Sequence, residues 1–449
     1  MVINCFPQMW LQLQKMKCFM SALSLWLKLY SNVKTKLLTT LFVICMILVC
    51  WCVYIHALMI NFYIKDNRLS EKEKLSQRHK LLKERGVAID SLGKICKFDP
   101  KQIGRKNCEN LIGSVELPVG LVGPVKADYQ DDSQQFTSDF LLPLATTEGA
   151  LVASVARGCK ALNKTGSLQV TVKKTGITRA PVFGFKSHRE AEKFVKWLEL
   201  TKTFKKIKKT VESTSQHLKL KQLQTWVVGR VVYVRFVADT DAAMGMNMIT
   251  IALRKVWEEE IKKFPQIELI SLSGNLCADK KIAAVNWLWG RGYRVTAEVK
   301  LSKQIVEEIL KTNITKLVKT YFWKNQIGSN LAGSSSHNMQ AANMVAAMFL
   351  ATGQDAAHVV EAAQVETILE IQNKNLYAAA VVPNVNVGVV GGGTYLPAFK
   401  QARQLILNKE LSPSELAGAV GIAVLAGELS GLAALSSHTL AQAHCQLAR

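Results

Sequence analysis

The chain has 449 residues, of which 49% are hydrophobic and 20% are charged, a composition that excludes a mainly disordered protein and allows a large buried core. The 57 lysines and arginines exceed the 34 aspartates and glutamates, and this net charge of +23 favours anionic partners. No nucleic-acid-binding signature accompanies the charge, and the ten cysteines lack the spacing of disulfide frameworks or zinc sites, so we expect no nucleic-acid partner, reduced thiols and no metal.

The N-terminal part predicts a membrane anchor. Residues 1–36 are a basic segment, and the following residues 37–64 contain no Lys, Arg, Asp or Glu. About 20 apolar residues suffice for a helix to cross a bilayer, so we predict one transmembrane helix over 37–64. A charged linker with helical tendency follows over 65–86. Because its flank carries more lysines and arginines than the N-terminal one, the soluble part is predicted to face the cytosol.

The first half of the soluble part alternates helices and strands. Ser187 and Glu190 have the spacing of a capping box and predict the start of an amphipathic helix. Alternating apolar residues over 227–237 predict a β-hairpin with Gly229 in its turn. Residues 244–264 are typical of a helix.

The second half becomes rich in small apolar residues. A strand is predicted over 293–299 by alternation, and a helix over 338–352 that ends at Gly353. Ser412 and Glu415 form a second capping box, which opens a helix rich in Ala and Gly up to about Leu429. Small residues allow helices to pack closely, so we predict a buried helical core in a mixed α+β protein.

Four ionisable residues lie among apolar or small neighbours, namely Glu148, Lys280, Asp355 and His444. Burial shifts the pKa values of carboxyl and amino groups, and converging groups of this kind perform acid–base catalysis. The alternatives are a helix-capping Glu, a solvated Lys pair and a surface His. Glycine-rich stretches at 391–394 and 241–248 have the potential to bind phosphate, but neither matches a Rossmann or Walker motif.

Read together, these segments resemble the 3-hydroxy-3-methylglutaryl-coenzyme A (HMG-CoA) reductases of the eukaryotic, membrane-bound class. The resemblance covers residues 85–449, in motifs that occur in collinear order: ENLIGSVELPVG at 109–120, TTEG at 146–149, RGCK at 157–160, SGNLCADKK at 273–281, GQDAA at 353–357, GGGT at 391–394 and AGELS at 426–430.

The resemblance implies a fold and an activity. A large helical substrate-binding domain, residues 87–180 and 272–449, would hold an inserted smaller α/β domain, residues 181–271, that binds NADPH. The reaction would reduce HMG-CoA to mevalonate and CoA by two hydride transfers, a step of isoprenoid and sterol precursor synthesis. A homodimer or homotetramer anchored in the endoplasmic reticulum membrane by a single span is also implied.

The resemblance also implies residue roles. Lys280 would stabilise the carbonyl oxygen, Glu148 would donate a proton, Asp355 would link these two residues, and His444 would protonate the CoA thiolate. The implied substrate-binding residues are Arg157, Arg179, Ser273, Asp279, Lys281, Lys324 and Asn343. The implied cofactor-binding residues are Ser215, Met244, Gly245, Met246, Asn247, Gly391 and Gly392.

Several positions depart from the motifs of the resembled family. Asp241-Ala242 replace Gly-Asp, Gln216 replaces the arginine for the NADPH 2′-phosphate, and Lys219 or Lys221 could compensate as point charges. Further departures are Ala156, Gln340, Asn386 and Val359, the last of which stands where the resembled family has an asparagine after its motif GQDAAQ. Two alternatives to a reductase therefore stay open: a membrane-tethered degenerate copy that binds CoA ligands or an active subunit without turnover, and a basic adaptor for nucleic acid or membrane surfaces.

Overall fold

The computed structural model describes residues 68–84 and 107–441, together with Ile64, Asp66, Ile103 and Cys445. The predicted transmembrane helix over 37–64, except Ile64, and the candidate His444 lie outside the described residues. The chain divides into two compact units, Met1–Ser114 and Val115–Arg449.

In the first unit, helix α1 spans Glu71–Glu84 and lies within the predicted linker. Ser70 and Glu73 cap its start, because Glu73 Oε2 accepts the Ser70 backbone N–H at 2.6 Å and Ser70 Oγ accepts that of Glu73 at 3.3 Å. The Arg78 guanidinium donates to the carbonyl oxygen of Leu111 at 3.2 Å, which ties the helix to the segment that follows it.

In the second unit, the described strands form one ten-stranded sheet with the order β7-β4-β6-β3-β8-β10-β9, while β1 pairs with β2 and β3, and β5 pairs with β6. The β1–β3 pairing is parallel and the other pairings are antiparallel. The strands are β1 Val119–Gln130, β2 Gln135–Ala145, β3 Gln169–Arg179, β4 Val182–Gly184, β5 Lys219–Val228, β6 Val231–Asp239, β7 Glu268–Ser271, β8 Gly292–Leu301, β9 Glu366–Gln372 and β10 Asn375–Val385.

The helices of this unit cover the sheet. They are α2 Leu151–Thr165, α3 His188–Glu199, α4 Thr201–Glu212, α5 Met246–Glu259, α6 Ala284–Trp289, α7 Lys303–Glu308, α8 Ile314–Tyr321, α9 Ser329–Leu331, α10 Ala341–Thr352, α11 Val359–Ala362, α12 Pro397–Leu407 and α13 Pro413–Ser436. Short 3₁₀ turns span Ile261–Lys263 and Ala356–His358, and a π-helical turn spans Phe322–Gly328. The mixture of helices and sheet confirms the predicted α+β class.

Helix α13 is the centre of the larger hydrophobic core. Its capping box at Ser412 is confirmed, and the helix continues to Ser436, beyond the predicted end near Leu429. Gly158 of α2 packs directly on this helix, because a Cβ at that position would lie 2.0 Å from the carbonyl oxygen of Ala426. Within the described residues, α13 is the one helix long and apolar enough to cross a membrane, and its most apolar window is completely buried in the protein. This burial agrees with the predicted core helix.

A second hydrophobic core joins α3, α4 and α5 to strands β4–β7. The capping box of α3 forms as predicted, since Ser187 Oγ accepts the backbone N–H of Glu190. The predicted hairpin is β5–β6, and Gly229 has φ of +59° in its turn. Helix α5 starts two residues after Met244. The separate core accompanies the predicted inserted domain 181–271, whose boundaries stay a prediction.

Candidate active site

The loop over 272–283 presents Lys280 in an unusual backbone conformation. It connects β7 to α6, and Asn275, Ala278 and Lys280 all have positive φ, of 63°, 48° and 56°. Positive φ strains residues other than glycine and persists where surrounding contacts enforce it. Asn286 of α6 supplies one such contact, because its Nδ2 donates to the Ala278 carbonyl oxygen at 3.0 Å. The strain marks this loop as a functional candidate.

Lys280 pairs with Asp355, as the sequence interpretation anticipated. Lys280 Nζ lies 2.7 Å from Asp355 Oδ2, and each side chain is a little over one third exposed. Asp355 precedes the Ala356–His358 turn and its Oδ1 accepts the backbone N–H of Ala357 at 3.0 Å. Burial opposes ionisation of Asp355, but the Lys280 ammonium and this N–H hold its pKa below the usual range. The pair therefore consists of a carboxylate and an ammonium.

Arginine side chains from two other parts of the chain lie beside the Asp279 carboxylate. Arg291 Nη2 donates to Asp279 Oδ1 at 2.9 Å, and Arg179 Nη1, at the end of β3, lies 3.9 Å from Oδ2. Lys281 Nζ donates to the Asp279 backbone carbonyl oxygen at 3.1 Å. Ser273, in the same loop, is anchored through its backbone N–H to Ser271 Oγ at 3.1 Å. Four of the predicted substrate-binding residues thus belong to this one locality, and the positive charges of two of them, Arg179 and Lys281, suit a carboxylate substrate.

A buried polar group beneath the loop was missed by sequence reasoning. Arg291, His358 and Glu361 are completely buried. Arg291 Nη1 donates to Glu361 Oε1 at 2.5 Å, and His358 Nδ1 contacts the same oxygen. Asp279, His358 and Glu361 have ligand atoms within 4.8 Å of one another, a spacing that a metal could use. Because the Arg291 guanidinium already binds both carboxylates, it supplies the positive charge at this place and we assign no metal to it.

Glu148 is placed differently from the expectation. It is exposed in the described chain, three residues before α2, although its sequence neighbours are apolar or small. Its Oε1 accepts a hydrogen bond from Asn343 Nδ2 of α10 at 3.1 Å. Within the described residues Glu148 has no direct hydrogen bond to Asp355 or Lys280. The predicted pairing of Lys280 with Asp355 is present, and the predicted link to Glu148 is not.

Two further substrate-binding candidates lie close to helix α13. Arg157 of α2 donates to Ser430 through Nε to Oγ at 3.0 Å and through Nη2 to the backbone carbonyl at 2.6 Å. Lys324, on the π-helical turn, is exposed and exerts a Coulombic influence on the buried Glu428. Ser430, the partner of Arg157, belongs to the AGELS segment. The spacing of residues in the sequence alone could not show that this segment contacts α2.

The two candidate cofactor segments adjoin. The Val389 backbone N–H donates to the Ala242 carbonyl oxygen at 2.9 Å, and Ala243 and Val390 form a parallel bridge. This arrangement brings residues 244–247, at the start of α5, beside the glycines 391–393. Gly391 and Gly392 have φ of +86° and +55°, and an added Cβ at either would meet no atom within 4 Å. The glycines therefore line open space with their backbone accessible, which suits an anionic ligand.

Side chains near Ser215, where the resemblance predicts the NADPH 2′-phosphate to bind, already contact one another. Asp241, which stands in the place of a family glycine, has φ of +53° and contacts His217 Nδ1 at 2.6 Å through Oδ2. Ser215 Oγ accepts the His217 backbone N–H at 3.2 Å. Lys221 Nζ lies 3.9 Å from Asp239, so part of its charge is already matched. Asp241 thus occupies a conformation that favours glycine.

Known proteins of one family match this chain over most of its length. The family model described as "Hydroxymethylglutaryl-coenzyme A reductase" matches residues 74–449. The chain is 38% identical over 400 residues to 3-hydroxy-3-methylglutaryl-coenzyme A reductase of the archaeon Pyrococcus horikoshii, covering 87% of this chain and 95% of that protein. It is 41% identical over 362 residues to 3-hydroxy-3-methylglutaryl-coenzyme A reductase 1 of Dictyostelium discoideum, covering 78% of this chain and 64% of that protein.

The solved structures support the same fold. The class II 3-hydroxy-3-methylglutaryl-CoA reductase of Streptococcus pneumoniae bound to NADPH has a TM-score of 0.58 and 19% identity, covering 83% of this chain and all of that chain. Because archaeal relatives match as closely as eukaryotic ones, and a bacterial class II protein shares the fold, the matches establish the resemblance at the level of the family and not of its eukaryotic class. The chain belongs to the HMG-CoA reductase family of oxidoreductases.

Proposed function

We propose that this chain catalyses the NADPH-dependent reduction of HMG-CoA to mevalonate and CoA, a step of isoprenoid and sterol precursor synthesis. The observation that carries the proposal is the ion pair between Lys280 and Asp355, 2.7 Å long, on a strained loop beside the cations around Asp279. A carbonyl reduction needs a fixed positive charge where the oxygen becomes negative. The family membership supplies the substrate class.

Lys280 and Asp355 would stabilise the charge that develops during the two reductions. Two molecules of NADPH, bound in succession, would each supply one hydride for the conversion of the thioester carbonyl to an alcohol, and the net reaction also takes up two protons and breaks the C–S bond to CoA. Lys280 would donate hydrogen bonds to the carbonyl oxygen as negative charge develops there, and Asp355 would hold the ammonium in position.

Two proton donors complete the proposal. Glu148 would donate a proton to the oxygen in the second reduction, since its carboxyl is exposed and is held in place by Asn343. His444 would protonate the departing CoA thiolate, and it lies outside the described residues. Both assignments extend the motif resemblance to matched positions.

The residues around Asp279 fit the hydroxymethylglutaryl portion. Arg179, Ser273 and Lys281 lie around this carboxylate, and the two cations among them would bind the terminal carboxylate of the substrate. On the same proposal, the remaining substrate contacts come from residues on other elements: Arg157, Asp279 itself, Lys324 and Asn343.

The second core would hold NADPH. Residues 181–271 would form the inserted cofactor domain, with Met244, Gly245, Met246 and Asn247 facing Gly391 and Gly392 across the open space described above. Ser215, His217 and Lys219 offer hydrogen-bond donors for the 2′-phosphate, and Lys219 is exposed. This donor set fits a phosphate-bearing cofactor.

The membrane and assembly proposals rest on different grounds. The apolar sequence 37–64 and the basic residues after it support a single-pass membrane anchor with the catalytic domain in the cytosol. The resemblance to the eukaryotic, membrane-bound class suggests that this membrane is the endoplasmic reticulum. The resemblance to that class is the ground for proposing a homodimer or homotetramer.

The test is turnover by the full chain solubilised in detergent. NADPH oxidation and mevalonate formation are measured with HMG-CoA for the wild type, Lys280→Ala and Lys193→Ala, the last being an exposed lysine on α3. Loss of an oxyanion donor typically lowers kcat about 10²–10³-fold, so we expect this loss in the first variant and wild-type kcat in the second. Equal activity in all three proteins would contradict the assigned role of Lys280.

The degenerate copy is the competing outcome. A folded wild-type protein without turnover, with NADPH and also with NADH, would support it. Titration calorimetry with HMG-CoA would then separate a CoA-binding protein from one that pairs only with an active subunit.

A further inference from the structure

Arg403, on α12, is a buried arginine that the proposed mechanism does not use. Its Nη1 donates to the Thr352 carbonyl oxygen at 3.0 Å, and its Nη2 donates to the Thr394 carbonyl oxygen at 2.7 Å. Within the described part of the chain, the guanidinium pairs with these two backbone groups and forms no salt bridge with a carboxylate. Because a buried cation is costly unless other contacts compensate, the two carbonyl groups account for its place inside the protein.

The first of these contacts is at the end of α10, directly before Asp355. Thr352 is in the last turn of this helix, where backbone carbonyl groups have no partner within the helix. Helix α12 also packs directly against the next residue, Gly353, since an added Cβ there would lie 2.6 Å from Phe399 Cδ2. Arg403 therefore holds the segment that leads into Asp355.

The second contact is at the end of the glycine turn, residues 391–394. The Thr394 hydroxyl and the Thr394 backbone N–H both donate to the Gly391 carbonyl oxygen, at 2.6 and 3.2 Å, which closes the turn. Arg403 holds the carbonyl group of this same threonine. Because Gly391 and Gly392 line the open space proposed for NADPH, the guanidinium fixes one end of the proposed cofactor turn.

The residues before the glycine turn are attached to the same helix end. The Gly388 backbone N–H donates to Gln354 Oε1 at 2.9 Å, and Gln354 Nε2 donates to the Thr352 carbonyl oxygen at 3.1 Å. Gly388 also lies against the other cofactor segment, because an added Cβ would be 2.4 Å from the Met244 backbone nitrogen. Both ends of residues 388–394 are thus attached to the end of α10.

We propose that Arg403 is a positioning residue that holds the glycine turn against the end of α10, and thereby sets where NADPH lies relative to Asp355 and Lys280. The inference rests on the proposed function, because it takes this turn as part of the NADPH site. A guanidinium presents its N–H groups in a rigid plane, so one side chain holds two separate carbonyl groups at a constant spacing. A shift of the turn would therefore lower both the affinity for NADPH and the rate of hydride transfer.

The first measurement is NADPH binding by the full chain in detergent without HMG-CoA, followed by the nicotinamide fluorescence. Arg403→Met has an apolar side chain without a donor, and loss of hydrogen bonds from a charged group predicts a Kd for NADPH about tenfold higher. The Kd for HMG-CoA, from titration calorimetry, should stay near that of the wild type, because Arg179 and Lys281 lie on other elements. The matched control is Lys400→Met, an exposed cation on the same helix, which should keep both wild-type constants.

The second measurement is kcat with HMG-CoA and NADPH both saturating. Saturation fills the site but does not restore the position of a displaced cofactor, so kcat of Arg403→Met should be about 10- to 100-fold below that of the wild type. A purely structural contribution of Arg403 would lower the midpoint of urea unfolding without weakening NADPH more than HMG-CoA.

Gln354→Met is the second variant, in case Arg403→Met does not fold. It removes the contact with Gly388 and leaves Arg403 in place, so we expect the same selective loss of NADPH affinity. Circular dichroism shows which variants fold. A wild-type Kd for NADPH in folded Arg403→Met, or in Gln354→Met where the first variant does not fold, would overturn the proposal, as would equal weakening of both ligands.

The binding data separate this role of Arg403 from the proposed function. A wild type that binds NADPH without turnover would refute the reductase proposal, and the Kd values of the variants would still decide whether Arg403 holds the cofactor turn. An active wild type whose NADPH affinity and kcat do not depend on Arg403 would overturn the positioning role and leave the reductase proposal intact. A wild type that binds no NADPH would refute both.

Discussion

Glu428, in α13, has a completely buried carboxyl group. Its replacement should show how much the contacts of this group with the start of α10 contribute to the free energy of unfolding. Its Oε2 accepts the backbone N–H of Met339 at 2.7 Å and the Thr367 hydroxyl at 2.8 Å, and its Oε1 accepts the backbone N–H of Gln340 at 2.7 Å. All three donors would be without an acceptor if the side chain were removed.

The two substitutions of Glu428 differ in how many donors they abandon. Glu428→Gln keeps the shape, but its NH₂ group must face at least one donor, which costs about 1–3 kcal/mol of unfolding free energy. Glu428→Ala abandons all three donors and leaves a cavity, so the loss should be about 3–5 kcal/mol. The alanine variant should therefore be clearly less stable than the glutamine variant.

The pH dependence of the glutamine variant gives a sharper test. Burial raises the pKa of Glu428 above its ordinary value of 4.5, although the three donors oppose the shift. The folded state thus holds the proton more tightly than the unfolded state, and wild-type stability from this group decreases as pH rises from about 4.5 through the folded pKa. Because glutamine does not titrate, the deficit of Glu428→Gln should be larger near pH 5 than near pH 8.

The assay is equilibrium urea unfolding of the full chain in detergent, followed by tryptophan fluorescence and circular dichroism. Glu199→Gln, an exposed residue at the end of α3, is the control and should match the wild type at every pH. Equal stability of the glutamine and alanine variants, or a glutamine deficit that grows with pH, would refute this account of Glu428.

Three further predictions concern stability and use the same unfolding assay. Gly158→Ala should lose about 1–3 kcal/mol, because its Cβ would lie 2.0 Å from the Ala426 carbonyl oxygen and the two helices must separate; an unchanged midpoint would contradict this. Burial raises the pKa of Asp131, but hydrogen bonds from Ser414 and other groups outweigh this effect and hold the pKa below its usual range. Asp131→Asn should therefore be destabilising at pH 7, and the difference in unfolding free energy from the wild type should decrease as acid protonates the aspartate. Ser412→Ala removes the cap of α13 and should cost about 1 kcal/mol, whereas Ser412→Asp should restore most of that loss.

Local signals made the elements predictable. The capping boxes at Ser187 and Ser412 and the turn at Gly229 depend on residues three or four positions apart, and each formed where the sequence placed it. The helix ends were less accurate, since α13 continues to Ser436. A C-terminus set by tertiary packing has no comparable local signal, because α13 is buried along nearly its whole length.

The site could be predicted only through motifs, and only in part. The pairing of Lys280 with Asp355 spans 75 positions, and spacing carries no information about it. Arg291 and Glu361 have no quoted motif, and they are 70 positions apart. The one available signal was local: Arg291 lies between two glycines, and Glu361 stands in an apolar stretch, where an isolated charge requires a buried partner. The position of Glu148 depends on the start of α2, which its apolar neighbours did not reveal.

The departures from the family motifs fall where the structure can tolerate them. The contact that joins the two cofactor segments uses the Ala242 backbone carbonyl and not its side chain, so the missing carboxylate leaves that junction intact. Gln340 uses its side chain to donate to the Gly427 carbonyl oxygen at 3.2 Å, which keeps the start of α10 joined to α13. The Lys280–Asp355 pair is present. These contacts predict that the departures alter cofactor affinity more than the chemical step.

Gln216→Arg tests this inference at the exposed corner beside Ser215. A guanidinium binds a phosphate with two parallel hydrogen bonds, which glutamine cannot provide, so KM for NADPH should fall about tenfold while kcat stays within about twofold. NADH lacks the 2′-phosphate, and its KM should not change, which makes it the internal control. Initial rates over a range of either cofactor give both constants. A change in kcat with no change in KM for NADPH would mean that this corner acts on the chemistry and that the 2′-phosphate is bound elsewhere.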